Sequence, residues 1–223
     1  MDKLEEFNKY ALQKYNKFKH TQDLAAPLLV DSSYEYIKGL ENKILYIGQE
    51  TNGWANFDNK DLELTVPYLE ELYLYFLKDM GATNKDFWTF IEECINIKKT
   101  ELHKNLIWSN TFICGKRTEI GNPIPTKDLT DLSVEYLTYL YDFFKPEYTI
   151  LVNGPTNPYY NITIQFLKNI KSSIIDLYPT RVNPLIIDDK NNIMWTYHPN
   201  YQNRAKIKTK IIQEINNRIV KGK

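Results

Sequence analysis

Short apolar runs alternate with stretches of helical period along this chain, and each run stops at polar, turn-forming residues. Residues 43–47 form one such run, closed by Gly48, with Asn52-Gly53 as a turn signal beyond it. Residues 105–113 form a second, followed by a loop containing Gly115, Gly121, Pro123 and Pro125. Residues 148–152 form a third, ended by Asn153-Gly154-Pro155. Further runs at 173–177, 185–187 and 193–197 read as strands, the last two flanking a hairpin turn at Asp188-Asp189-Lys190-Asn191-Asn192. Between them, residues 3–19, 62–80, 85–97, 130–144, 157–170 and 204–220 carry apolar residues at helical spacing. Continuous apolar strands alternating with helices predict an α/β domain. The expected form is a three-layer α/β/α sandwich around a central, mostly parallel four-stranded sheet.

No linker divides the 223 residues, so a single domain over 1–223 is expected, with residues 1–40 as an N-terminal helical extension. A chain of this size buries most of what its unfolded form exposes and needs no staple. Lys+Arg and Asp+Glu balance at 28 each, which excludes a strongly basic, histone-like binder but leaves room for a local basic face. Cys94 and Cys114 are too few for a disulfide scaffold, a four-cysteine zinc site or a cysteine-ligated cluster. His20, His103 and His198 fall into no metal-ligand spacing, so neither metal nor cofactor is expected. The polar start and the absence of a long apolar run predict a cytoplasmic chain with no membrane partner.

In parallel α/β sheets, ligands bind beyond the carboxyl ends of the strands. Those ends deliver Gly48-Gln49-Glu50-Thr51-Asn52-Gly53-Trp54, Ser109-Asn110-Thr111, Asn153-Gly154-Pro155 and Tyr197-His198-Pro199-Asn200-Tyr201. One carboxylate, several amides and one imidazole are thus sent toward a common rim. Each has a plainer reading. Glu50 can cap a helix, Asn110 can satisfy loop backbone, His198 can be an ordinary half-buried histidine, and Trp54 and Phe57 can be core. Asn153-Gly154-Pro155 reads as a turn.

Gly48-Gln49-Glu50, Leu106-Ile107-Trp108-Ser109-Asn110-Thr111 and Thr196-Tyr197-His198-Pro199, with Arg204 six residues beyond His198, together resemble the uracil-DNA glycosylase superfamily. The order and spacing agree over roughly residues 40 to 220. The resemblance implies a uracil-DNA glycosylase-like fold in which Glu50 positions the attacking water and Asn110 hydrogen-bonds the base edge. It further implies that His198 stabilises the departing base, and that Trp54 or Phe57, beside Gln49, stacks on it. N-glycosidic cleavage builds positive charge on the sugar and negative charge on the base, and these residue types answer both. The flipped base offsets part of its unstacking cost on an aromatic.

The pattern also departs from the family. The best-known branch has Gly-Gln-Asp-Pro-Tyr where this chain has Gly48-Gln49-Glu50-Thr51-Asn52, so glutamate's reach differs and the tyrosine that blocks the thymine methyl has no counterpart. Gln202 stands near the family's wedge leucine, with Tyr201 as a substitute. Residues 204–223 carry seven basic residues and one acid, a local balance of 7 − 1 = +6. That stretch, with Lys116, Arg117 and Arg204, is the expected phosphate-contacting surface, against a plainer reading as a solvated helix face. The expectation is therefore a monomeric, cofactor-free DNA glycosylase-like hydrolase. It would act on a deaminated or modified base in DNA, more readily in single strands. The alternatives are a catalytically silent base-, nucleotide- or partner-binding module on the same fold, and a hydrolase of small N-glycosides.

Overall fold

The computed structural model describes residues 2–51, 54, 64–80, 85–117 and 121–221. The chain opens with helix α1 (Asp2–Phe18) and the short α2 (Tyr34–Gly39), then enters strand β1 (Ile44–Gly48). Helix α3 (Val66–Tyr75), extended by a π-helical turn at Phe76–Met80, and α4 (Lys85–Ile95) lead through a 3-10 turn to β2 (Leu106–Asn110). Next come α5 (Lys127–Phe144), β3 (Tyr148–Leu151) and α6 (Tyr159–Asn169). The hairpin β4 (Leu185–Asp188) and β5 (Ile193–Thr196) then precedes α7 (Pro199–Arg204) and α8 (Lys208–Lys221).

Among the described residues the sheet has five strands in the order β2-β1-β3-β5-β4, with helices around it. Four strands were expected. The fifth is β4, which pairs antiparallel with β5 on the sheet's edge, while the other four run parallel. Asp188 closes the hairpin: its carboxylate accepts from Lys190 N (3.1 Å), Asn191 Nδ2 (2.7 Å), Ser172 Oγ (2.7 Å) and Ser173 N (2.8 Å). Residues 173–177, expected as a strand, are instead turn and irregular chain. Ser172 and Ser173 are tied to Asp188 there, so this backbone is not free to join a ladder.

The expected helix 204–220 is broken between α7 and α8, where Lys206 takes a left-handed φ of 56°. Thr65 and Thr126 cap α3 and α5, accepting from Tyr68 N and Leu129 N. The first forty residues share the common core. Leu4, Ala11, Tyr15 and Phe18 of α1 are buried in it, as are Leu28, Leu29 and Val30 of the extended strap that follows. That strap is held by Ala25 N–Gly115 O and Leu28 N–Ile113 O bonds of 2.9 and 2.7 Å.

Register positions the site. Ile47 lies opposite both Ser109 and Leu151, and Leu151 lies opposite Trp195. Gly48, Asn110, Val152 and Thr196 therefore sit at one level, and the segments after them emerge side by side. Asn153, completely buried, ties them together. Its Nδ2 donates to Thr111 Oγ1 (2.7 Å) and Thr163 Oγ1 (2.6 Å), its Oδ1 accepts from Trp195 Nε1 (2.8 Å), and its backbone oxygen accepts from Gln49 Nε2 (2.9 Å). Asn153→Ala should leave the Trp195 indole without its partner, remove one bond from each threonine hydroxyl, and cost roughly 3 kcal/mol. Urea unfolding monitored by tryptophan fluorescence checks this.

Candidate functional site

A cavity of about 860 Å³ opens beyond these strand ends. That is toward the upper end of the roughly 300–1,000 Å³ typical of small-molecule sites. Gln49, Glu50, Trp54, Asn110, His198 and Arg204 all line it, with Tyr201 beside them. The residues expected from three separate stretches thus meet around one space. Phe57 lies outside the described residues. Lys116 and Arg117 are not among the lining residues; Lys116 bridges to Leu24, and the Arg117 amide donates to Asp23 O.

Glu50 is half-buried, and the hydroxyl of Tyr159 donates to its Oε2. Burial pushes the Glu50 carboxyl above its ordinary range, and the Tyr159 hydroxyl, which favours the ionised form, pulls the other way. Among the described residues, that bond to Oε2 is the one hydrogen bond the carboxylate makes. Tyr159 itself, at the start of α6, was invisible in the sequence because it belongs to none of the strand-end segments.

Asn110 is buried against Gly48, and the contact requires glycine. A Cβ there would fall 2.9 Å from Phe87 Cε2 and nearer still to the Asn110 amide. With the amide oriented to suit its neighbours, Nδ2 donates to Ser109 O (3.1 Å) and Oδ1 accepts from Thr51 N (3.3 Å). A carboxamide has two donor hydrogens and two acceptor lone pairs, so half of its capacity stays open to a ligand.

His198 caps α7: its Nδ1 accepts from Asn200 N at 3.3 Å, which leaves the proton on Nε2. Burial lowers its pKa to about 4, with Arg204 adding to the shift and Asp86 opposing it. Near neutral pH the ring is therefore an uncharged donor. It stacks on Phe87, with ring centroids 6.2 Å apart and planes at 20°. An aromatic wall continues from Phe87, which meets Trp88 edge-on at 4.9 Å. Trp54 meets Phe76 and Trp108 edge-on at 5.4 and 5.6 Å, and Trp88 meets Trp108 at 5.1 Å. Trp54, Trp88 and Trp108 are each at most 5% exposed, so they form a rigid wall rather than mobile covers.

At the mouth, Tyr201 packs on Tyr197 at 4.5 Å, and its hydroxyl accepts from Arg181 Nε at 3.4 Å. Gln202, expected near the wedge leucine, is completely buried and donates to the Tyr197 carbonyl. It cannot enter a base stack. On the basic terminal stretch, Lys208 pairs with Glu93 (3.4 Å), and Arg218 pairs with Glu214 (3.2 Å) and Asp189, so part of its excess charge is internally compensated. Among the described residues, no group of three His, Cys, Asp or Glu side chains could hold a metal, and no helix is long and apolar enough to cross a membrane.

Two titrations check the site. The His198 ring should remain neutral down to about pH 4 by NMR. Because this value lies below the ordinary 6.5, its contribution to stability is complete above pH 6.5 and is lost as pH falls toward 4. Tyr159→Phe should raise the Glu50 carboxyl pKa further, since it removes the bond that favours the charged form. Comparison of the chain with family models, curated proteins and solved structures found no match to any of them.

Proposed function

We propose that this chain is a DNA glycosylase-like hydrolase, a divergent relative of the uracil-DNA glycosylase superfamily built as a three-layer α/β/α sandwich. It cleaves the N-glycosidic bond of a deaminated or modified base, uracil or similar, in DNA. The observation that carries the reading is the meeting of Glu50, Asn110 and the neutral His198 around one aromatic-walled cavity. An extruded base enters against Trp54 and the aromatic wall, and the open half of the Asn110 amide reads its edge. His198 Nε2 donates to the base oxygen on which negative charge grows. An uncharged donor serves here because it needs no proton from solvent. Glu50, held by Tyr159, orients water on Oε1 and steadies the positive charge developing on the sugar. Arg204 at the rim and the basic α8 supply phosphate contacts, so binding weakens with salt.

A second reading, a binding module without catalysis, is favoured by one observation: half of the Asn110 amide is committed to local backbone. It predicts base or nucleotide binding that Asn110→Ala abolishes, with no product formed.

Incubation with uracil- or hypoxanthine-containing oligonucleotides should release free base, faster from single strands. Loss of one well-placed donor costs on the order of a hundredfold in rate, so His198→Ala and Glu50→Gln should each slow release by about that factor. A folded protein that binds these oligonucleotides and releases no base rejects catalysis in favour of the second reading.

A further inference from the structure

Gln202, which the resemblance sets near the family's wedge leucine, is buried and cannot enter a duplex, and Tyr201 packs on Tyr197 and accepts from Arg181. A different element stands free at the same mouth. Thr180, Arg181, Val182 and Asn183 form a tight turn closed by Thr180 N–Asn183 O (2.9 Å) and Asn183 N–Thr180 Oγ1 (3.0 Å) bonds. Prolines bracket it at positions 179 and 184. Three contacts brace it against the cavity rim and β5. Tyr197 Oη donates to Pro179 O (3.0 Å), Arg181 Nε to Tyr201 Oη (3.4 Å), and Thr196 Oγ1 to Pro184 O (2.8 Å). At the tip, Val182 is 93% exposed, the most exposed of the large apolar side chains among the described residues.

Single exposed apolar residues are ordinary. This one differs in its setting: a cation adjoins it, the turn is braced from both ends, and two of the bracing residues, Tyr197 and Tyr201, line the cavity. An apolar side chain inserted between base steps, with a cation on the neighbouring phosphate, is how proteins unstack a duplex. We infer that Val182 is a duplex wedge and Arg181 its phosphate anchor, so that the base displaced from double-stranded DNA is passed into the cavity. The inference rests on the cavity being a base pocket, and it assigns to the 180–183 turn the role that position 202 lacks.

The test uses a duplex carrying 2-aminopurine next to a uracil·guanine mismatch, whose fluorescence rises on unstacking without any bond being broken. The wild-type chain should raise the fluorescence. Val182→Asp should abolish the rise, and Val182→Leu should keep it. Because duplex release also requires unstacking, Val182→Asp should lower the ratio of duplex to single-strand base release on the order of tenfold. Exposure of Val182 makes the substitution harmless to folding, and an unchanged far-UV spectrum confirms that. A flat wild-type signal, or a Val182→Asp signal equal to wild type, overturns the wedge. Failure of base release alone, with the fluorescence rise intact, instead removes catalysis and leaves the wedge standing.

Discussion

One buried carboxamide holds the working end of this molecule together. Asn153 reaches the end of β2 through Thr111, β5 through Trp195 and α6 through Thr163, and its carbonyl anchors Gln49 beyond β1. An amide with both donor hydrogens and its oxygen engaged in a dry interior is expensive to disturb, because a lost partner can leave a desolvated polar group behind. Loops that would otherwise drift are therefore fixed relative to one another. Glu50 emerges one residue beyond Gln49, Tyr159 stands on the α6 that Thr163 anchors, and His198 follows β5 by two residues. The site inherits its rigidity from this hub.

Around that hub, two titratable groups are driven in opposite electrical directions by the same cause. Burial raises Glu50 toward neutrality and makes His198 reluctant to charge. The protein counters the first with the Tyr159 hydroxyl and lets the second stand. The cavity therefore carries a carboxyl group supported by a hydroxyl donor and an uncharged imidazole donor, a division of labour suited to the proposed reaction, in which opposite charges appear on the two sides of one bond. The proposed hydrolase depends on that separation.

Much of the architecture was legible in the chain. The runs around Leu45, Ile107 and Ile150 are continuous apolar segments, which only strands covered on both faces can tolerate, and they became β1, β2 and β3. The hairpin at 185–197 was equally plain, but nothing local says whether a hairpin joins an existing sheet edge, as β4 and β5 do here. Residues 173–177 misled for the opposite reason. Their apolar pattern is genuine, with Ile174 buried, but Asp188 claims the neighbouring backbone from fifteen residues away. Long-range side-chain bonds of that kind have no periodicity to betray them.

The strand-end residues follow the same division. Polar residues after apolar runs marked Glu50, Asn110 and His198, since a parallel sheet must send its carboxyl ends the same way. That they face one cavity depends on register, with Gly48 beside Asn110 and Leu151 beside Trp195, and register is settled by which side chains pack across the sheet. Tyr159, Phe87 and Val182 left no trace, because a hydroxyl, a ring and an exposed methyl pair acquire meaning only from what tertiary contact sets beside them. Local chemistry could name the strands and the polar groups at their ends. Only the folded packing could decide that Gln202 is sealed inside, that Asn153 binds four segments at once, and that an exposed valine tips a turn braced by two cavity-lining tyrosines.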